Sequence, residues 1–395
     1  MTQTLKRRIE PGLLTAYGVG VIVGAGIYVL VGAIAGVVGV WTPLAFLLAA
    51  LVAAPAALSH AELSARIPEA AGEASCVEQA LGLHGLAVAV GLAIVLAGTI
   101  SAAAVLRGGT GYLVAVLGLP FAPLMLALGG GLVLVAVLGV LESLVLAAVL
   151  TVVELIGLGL VVCAGLLAAP VEDWIRPGPL PLAGLGLATV LAFFAFIGFE
   201  DMVNMAEEVA DPARILPRAI LLALAITTLV YAVVSIVTLR AVPVADLAAS
   251  ERPLALIWER GTGGSAGFLS LIAGAAALNG VLAQVVMAAR VLFGLGRSEA
   301  RLAAFHHAHP RFGTPVLATL VVGGAVLVAA LVLPVAALAG ASSVVLLMVF
   351  AVVNLSLIVL KRRAPEAPFR VPAWVPWAGL GGALAALVLS LGGLA

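Results

Sequence analysis

The sequence predicts an all-α integral membrane protein with about eleven transmembrane helices. The first reason is composition, because 64% of the 395 residues are hydrophobic and only 10% are charged, whereas a soluble domain averages about 25% charged residues. No soluble fold has enough interior to bury so much apolar surface. The second reason is that the few charges leave long apolar runs between them. Since lipid requires backbone hydrogen bonds to be made within each segment, these runs are expected to be helices.

Charge-free runs locate the helices along the chain. A span needs about 20 apolar residues, so residues 11–61 and 312–360 are each long enough for two spans. We expect the first run to divide at residues 39–43 and the second near Pro334. Single spans are expected in the remaining charge-free runs, which are 79–106, 108–141, 177–199, 219–239, 261–289 and 371–395. One more is expected at 143–169, a run that only Glu154 interrupts.

The basic residues predict the orientation. With the N-terminus in the cytoplasm, 14 of the 19 Lys and Arg residues fall on the cytoplasmic side, in keeping with the positive-inside rule. Eleven spans then place the C-terminus outside the cell. The longest outside segment, about 241–262, is expected to form a short amphipathic piece at the interface. We therefore expect a multi-pass protein of the cytoplasmic membrane.

Charge balance and reactive side chains argue against several function classes. Lys plus Arg equals Asp plus Glu at 19 each, so no basic excess is present to neutralise nucleic-acid phosphates. Cys76 and Cys163 are far apart and support neither a disulfide framework nor a metal site. The histidine-rich run 306–309 is expected to be a solvated loop, because no carboxylate or cysteine accompanies it. We expect no enzyme, no metal, no cofactor, no nucleic-acid partner and no obligate protein partner.

Glycine interrupts two of the predicted spans. Span 1 contains the step Gly24-Ala25-Gly26, and span 6 contains Ile197-Gly198. Glycine costs about 1 kcal/mol in a helix, and exposed backbone at membrane depth is tolerated only where it lines a cavity or is buried in protein. Two interpretations of the span 1 glycines stay open: a broken helix at a binding site, or close helix packing through small residues.

The two interruptions lie at corresponding places in two halves of the chain, which is typical of secondary transporters. Each half holds five spans, and because five is odd the second half would insert upside down as an inverted repeat. The predicted organisation is a cytoplasmic N-terminus (1–11), a first five-helix repeat (12–169), an extracellular connection (170–183), a second, inverted repeat (184–360), a cytoplasmic loop (361–371) and an additional helix 11 (372–395).

Several stretches form a recognisable pattern along the chain, and they are Gly24-Ala25-Gly26-Ile27, Ala61-Glu62-Leu63 with Pro68 and Gly72, Phe194-Ala195-Phe196-Ile197-Gly198-Phe199-Glu200, Ala206-Glu207-Glu208-Val209, Asp211-Pro212-Ala213-Arg214-Ile215-Leu216-Pro217-Arg218-Ala219-Ile220, and Leu278-Asn279-Gly280. In this order they resemble the amino acid–polyamine–organocation (APC) transporters, a family with the leucine-transporter-type fold. The match runs through spans 1 to 11, because Arg290-Val291-Leu292-Phe293-Gly294 and Phe369-Arg370-Val371-Pro372 also fit. Its most diagnostic part is the run from Glu207-Glu208 to Ala219-Ile220.

The resemblance implies a substrate site built from backbone groups at the two interruptions. In this family the substrate carboxylate binds N–H groups at the break of span 1, where a half-helix N-terminus also carries about +0.5 charge. The substrate ammonium is expected at carbonyl groups that end the other half-helices. Phe194 matches an aromatic gate, although packing alone would also explain it. The positions assigned to substrate binding are Ile22, Gly24, Ala25, Gly26, Ile27, Phe194, Ala195, Ile197 and Gly198.

Glu154 and Glu200 are the candidates for proton coupling. A carboxylate at membrane depth is costly and usually functional. Related transporters often carry a lysine at the position of Glu154, so the sequence departs from the family there. Glu154 is either a protonatable group or a neutral, hydrogen-bonded one. Glu200 either binds a proton, accepts a hydrogen bond from the substrate, or ties span 6 to neighbouring helices.

The resemblance implies a secondary active transporter that moves amino acids or related amines by alternating access, either coupled to protons or exchanging substrates. Sodium coupling is not expected, because sodium-coupled relatives use hydroxyl groups in span 8 and residues 274–278 offer none. The implied partners are the small-molecule substrate, the lipid bilayer and protons. One alternative is a polyamine or cationic amine transporter or antiporter of the same fold. A membrane channel or enzyme is the alternative from a different class.

Overall fold

Helices make up nearly all the regular structure in the computed structural model, which describes residues 9–24, 26–67, 72–138, 144–172, 174, 178–203, 209–309 and 313–392. The helices are α1 (Pro11–Val23), α2 (Gly26–Val38), α3 (Thr42–Arg66), α4 (Gly72–Leu81), α5 (His84–Leu117), α6 (Phe121–Leu138), α7 (Leu144–Leu167), α8 (Leu182–Phe194), α9 (Phe199–Val203), α10 (Pro212–Ala241), α11 (Val244–Ala249), α12 (Pro253–Thr262), α13 (Gly267–Ser298), α14 (Val316–Val332), α15 (Val335–Arg363) and α16 (Trp374–Gly392).

These helices confirm a multi-span membrane protein. Seven described helical stretches are long and apolar enough to cross a membrane, and three shorter apolar helices accompany them. The first stretch, Pro11–Arg66, contains two of the predicted spans, so the described residues hold the eleven segments that the charge gaps predict. The predicted division at residues 39–43 is confirmed by a short 3₁₀ helix, Gly39–Trp41, and the division near Pro334 by the start of α15.

The predicted boundary between spans 3 and 4 is wrong. The charge gaps place it at Arg107, but α5 continues through this residue to Leu117. The Arg107 guanidinium stays partly buried because it donates to the Ala330 carbonyl and lies over the Phe121 ring. The helix ends instead at Gly118, which adopts a left-handed conformation with φ of 65°. A cation with a backbone acceptor and an aromatic face therefore does not mark a loop here.

The segment between α10 and α13 confirms the short amphipathic piece expected at 241–262. It consists of two short helices, α11 and α12. The backbone of Leu247 in α11 lies directly on Gly32 of α2, where a larger side chain would not fit. These two helices therefore cover one end of the second half of span 1.

Three helix pairs position the candidate site. The first half of span 1, α1, packs against α7 and α10, and α5 packs along α13. On α7, Val152 and Ile156 are more than half exposed, whereas Thr151 and Glu154 are buried. One face of α7 is thus suited to lipid and the other faces the interior. The inverted repeat and the domain boundaries stay predictions.

Candidate functional site

The predicted interruption of span 1 is present as a break between α1 and α2. Helix α1 ends at Val23, and Gly24 follows with φ of 32° and ψ of −145°, a conformation that side-chain-bearing residues rarely adopt. Its N–H still donates to the Gly20 carbonyl at 2.9 Å. Helix α2 then begins at Gly26, so its first-turn N–H groups lie at the break. Ala25 lies outside the described residues.

The predicted interruption of span 6 is a four-residue turn between α8 and α9. Helix α8 ends at Phe194, and α9 begins at Phe199. Gly198 has φ of 124°, which favours glycine strongly. Its N–H donates to Glu200 Oε2 at 2.9 Å, so a carboxylate already satisfies one donor of this turn.

The two breaks pack directly against each other, and glycine makes the contact possible at both. A methyl carbon added at Gly26 would lie 2.9 Å from the Ala195 Cα. One added at Gly198 would lie 2.7 Å from Val21 Cγ1 and 3.1 Å from the Val21 carbonyl oxygen. The helix of span 1 is therefore broken, and its glycine also permits close packing. That a substrate binds at the break stays a prediction.

A tyrosine hydroxyl joins the two breaks. Tyr231 of α10 is fully buried, and its hydroxyl lies 2.8 Å from the Ile22 carbonyl oxygen and 2.6 Å from that of Ala195. A phenol has a single proton to donate, so the two carbonyl groups share it. Sequence reasoning missed this residue, because nothing local in α10 indicates that it reaches both breaks.

A cavity lies at the two breaks. The centres of water-sized molecules can occupy about 70 Å³ of it. By that measure it has room for several waters or for a small solute. Five of the positions predicted to bind substrate line it, and they are Ile22, Gly24, Gly26, Phe194 and Ile197. Ile27, Ala195 and Gly198 are not part of its lining. Ala195 instead contacts Gly26 and accepts from Tyr231, so its carbonyl is already engaged.

Several polar side chains complete the lining of this cavity, and they are Tyr17, Ser101, Thr151, Asn279 and Gln284. From sequence, Asn279 and Gln284 are interpreted mainly as interhelical hydrogen-bonding residues, yet both face the cavity. Their spacing could have indicated this position, because Ala276, Gly280 and Gln284 recur every four residues and so share one face of α13.

Glu154 and Glu200 occupy different places. Glu154 is 4% exposed, lines the larger cavity, and its Oε1 has no hydrogen-bond partner among the described residues. Glu200 is 5% exposed and lines a second cavity of about 10 Å³ that adjoins α4. Ser101, Ile197 and Gln284 border both cavities. The two carboxylates are therefore separated by a short, partly polar route.

Comparison with known proteins identifies the family. A model of the amino acid permease family matches residues 13–393. The chain is 27% identical to the branched-chain amino acid permease BcaP of Bacillus subtilis, over 94% of this chain and 84% of the relative. It is 28% identical to the methylthioribose transporter of the same organism, over 94% and 85%.

A third relative is the vacuolar cationic amino acid transporter 4 of Arabidopsis thaliana, which is 30% identical over 92% of this chain. The chain spans only about 64% of that protein's length. These findings confirm the resemblance seen in the sequence. The chain belongs to the amino acid permease family, and it is a multi-pass membrane transporter rather than an enzyme.

Proposed function

We propose that the protein is a secondary active transporter that moves amino acids or related amines across the cytoplasmic membrane by alternating access. The observation that carries this proposal is the cavity enclosed by both helix breaks. Backbone N–H groups at the start of α2 suit a substrate carboxylate. Carbonyl groups at the ends of α1 and α8 suit an ammonium group. The side chains around the cavity are then left to select the rest of the substrate.

The size of the cavity supports a small substrate. The approach of Gly20 to the Thr151 hydroxyl and of Gly26 to Ala195 keeps the walls close together. We therefore propose amino acids with small or medium apolar side chains as the principal substrates. Branched-chain amino acid transport is the activity named for one relative.

Glu154 favours a second candidate, the transport of cationic amino acids or amines. It is a buried carboxylate facing the cavity, and its Oε1 has no hydrogen-bond partner in the described part of the chain. A buried charge needs a partner, which a cationic side chain on the substrate would supply. Cationic amino acid transport is the activity named for another relative.

Uptake into proteoliposomes distinguishes these candidates. The purified protein is first screened by thermal shift against the twenty amino acids and common polyamines, because a ligand that binds the folded state stabilises it. Stabilising compounds are then tested as radiolabelled substrates. Saturable, stereoselective uptake supports the transporter, whereas conductance without saturation contradicts it. Glu154→Gln should abolish the affinity for a cationic substrate but preserve much of the affinity for a neutral one.

We also propose the orientation and the mechanism that the sequence predicts. The N-terminus lies in the cytoplasm and the C-terminus outside, and the two five-helix repeats, 12–169 and 184–360, move against each other around the cavity. Coupling, where it exists, uses protons carried by Glu154 or Glu200 and not sodium. Protease cleavage of terminal tags in right-side-out vesicles tests the topology: cleavage of both tags, or of the N-terminal tag alone, would contradict it.

A further inference from the structure

A buried histidine and a buried glutamate face each other beside the break of span 6. His60 lies in α3 and is 2% exposed, and Glu73 lies in the first turn of α4 and is 7% exposed. The His60 Nε2 and the Glu73 Oε1 are 3.7 Å apart. Neither residue belongs to the predicted substrate or coupling positions.

The hydrogen bond at the other ring nitrogen fixes the tautomer of His60. Its Nδ1 lies 2.8 Å from the Ala56 carbonyl oxygen. Because a carbonyl oxygen can only accept, Nδ1 carries the hydrogen, and in a neutral ring Nε2 carries a lone pair. Nε2 has no hydrogen-bond partner among the described residues. A lone pair facing an ionised carboxylate at this depth is unfavourable, so the pair requires a proton between its two members.

Glu73 also faces Glu200. Both carboxylates line the cavity of about 10 Å³, which has room for roughly one water molecule. Each belongs to the first turn of its helix, Glu73 in α4 and Glu200 in α9, where the helix dipole favours negative charge. Two carboxylates around one small buried cavity nevertheless oppose each other's ionisation. The arrangement therefore favours a state in which Glu73 and Glu200 share at least one proton between them.

The imidazole is packed against two aromatic rings beside the break of span 6. The His60 ring lies 5.6 Å from the Phe199 ring of α9 and 4.8 Å from the Phe350 ring of α15, edge to face in both cases. A change in the charge of His60 therefore acts directly on α9, the half-helix that begins after the break.

Other charged groups near this cluster have partners of their own. On α3, Glu62 binds both Arg66 and Lys361. Arg363 of α15 donates to the Ala80 carbonyl, and His84 of α5 pairs with the exposed Glu78. The remaining charged side chains on α5, α9, α13 and α15 are Arg107, which is partly buried on α5, Asp201, which is buried on α9, and Arg290, Arg297 and Arg362, which are exposed on α13 and α15. Glu69 lies outside the described residues.

We infer that His60 and Glu73 form a proton-binding pair that exchanges its proton with Glu200 across the small cavity. The proton leaves the pair, crosses through water and bonds to a Glu200 carboxylate oxygen. This leaves Glu73 ionised beside a neutral His60, and the pair is reloaded from solvent on the α4 side. Ser101 and Gln284 border both cavities and continue the route towards Glu154. The exchange step rests on the proposed proton coupling, whereas the pair itself does not.

The surroundings of Glu73 agree with this role. Burial raises the pKa of the Glu73 carboxyl group, and a hydrogen bond from its own backbone N–H partly opposes this effect. Glu73 lies outside the membrane-spanning stretches, so solvent on the α4 side is a reasonable source of protons.

A titration of the histidine rings tests the pair directly. The full-length protein in detergent is labelled with ¹⁵N-histidine, and the His60 signal is assigned with His60→Gln. Glu73→Gln should move the pH midpoint of His60, because the two groups titrate together. Glu78→Gln is the matched control: Glu78 lies on the same helix as Glu73, but its partner is the exposed His84 of α5. An unchanged His60 midpoint in Glu73→Gln overturns the pair, whether or not the protein transports anything.

Uptake measurements test the exchange with Glu200. Proton-driven accumulation should fall about tenfold in Glu73→Gln, within the usual range for coupling between two sites, while counterflow exchange of substrate persists. His60→Gln should have the same effect, and the double variant should be no worse than either single variant. If Glu73→Gln shifts the His60 midpoint but keeps wild-type proton-driven accumulation, the exchange with Glu200 is overturned. The proton of the His60–Glu73 pair would then have a structural role only.

Discussion

The two helix breaks differ in how their backbone is satisfied. The described part of the span 1 break is Gly24, which has no side chain to cap a helix. The break of span 6 is a four-residue turn. The Glu200 carboxylate, which follows it in α9, accepts a hydrogen bond from the Gly198 N–H at 2.9 Å. The span 6 break has therefore already used one of its N–H groups, whereas the span 1 break has used a carbonyl group, that of Ile22, which accepts from Tyr231.

This difference predicts how a zwitterion would lie in the cavity. A substrate carboxylate is favoured at the start of α2, where N–H groups and the helix dipole attract negative charge. It is disfavoured beside Glu200 when that residue is ionised. The ammonium group would then lie towards the carbonyl groups at the ends of α1 and α8. Substitutions at the glycines, carboxylates and tyrosine around the breaks can test whether the two breaks differ in this way.

The largest effect is expected from adding one methyl group at a break. In Gly26→Ala the new carbon would press on the Ala195 Cα at 2.9 Å, and in Gly198→Ala it would meet Val21 in a backbone conformation that costs about 1–3 kcal/mol. Either change separates the breaks, and uptake should fall at least about tenfold, the equivalent of 1.4 kcal/mol.

Gly280→Ala is the matched control for these two variants. Gly280 lines the same cavity, but an added methyl would meet only Val105 Cγ1, at 3.7 Å. Its uptake should stay near the wild-type rate. If Gly26→Ala and Gly280→Ala transport equally well, the contact between the breaks has no role in function.

The next effect separates the two carboxylates. Glu154 lines the larger cavity and Glu200 does not, so Glu154→Gln should change the KM for a cationic substrate as well as the pH dependence of uptake. Glu200→Gln should change the pH dependence with little effect on KM, because its contact is with the backbone of the turn. Initial rates across acidic to neutral pH, with counterflow exchange as the control for folding, measure both quantities. If both variants retain the wild-type pH profile, neither residue carries the proton, and exchange without proton coupling becomes the better interpretation.

An intermediate effect is expected from Tyr231→Phe. The variant removes the hydroxyl shared by the Ile22 and Ala195 carbonyl groups, and leaving buried acceptors unsatisfied costs about 1–3 kcal/mol. Tyr112→Phe is a suitable control, since its hydroxyl donates to the Tyr28 carbonyl inside α2 and touches neither break. Both variants should lower the thermal unfolding temperature, but only Tyr231→Phe should reduce uptake. Equal uptake by the two variants would show that the hydroxyl is structural only.

The positions of the breaks could be predicted from sequence because glycine acts locally. Gly24, Gly26 and Gly198 stand where apolar helices would otherwise continue, and the structure interrupts the helices there. The end of α5 could not be predicted from its charge, because the acceptor and the aromatic ring that accommodate Arg107 come from distant parts of the chain.

His60, Glu73 and Tyr231 were missed for a similar reason. His60 and Glu73 belong to separate helices, and their spacing of 13 residues matches no helical period. Tyr231 lies more than 30 residues from either carbonyl it contacts. Long-range contacts of this kind depend on how helices pack, which the pattern of one helix does not contain.

A smaller effect concerns stability against pH. Burial raises the pKa of Glu73 in the folded protein, whereas an unfolded glutamate ionises near about 4.3. The folded state therefore favours the protonated form, and stability should decline as pH rises from the unfolded value through the raised folded one. Glu73→Gln should flatten this decline in a thermal unfolding series, and Glu78→Gln, on the exposed side of α4, should not. Identical slopes in wild type and Glu73→Gln would contradict the role of burial.

Replacing sodium in the buffer should leave uptake unchanged. Hard cations are bound by several oxygen ligands, and residues 274–278 of α13 provide no side-chain oxygen. Ser270 is buried in the same helix but is not part of the cavity lining. Uptake in choline buffer should therefore equal uptake in sodium buffer at the same pH, with an imposed pH gradient as the positive control. A steep, saturable sodium dependence would contradict this prediction. It would also change the comparison of the breaks, because a cation beside Glu154 or the carbonyl groups of α1 would make the span 1 break the charged one.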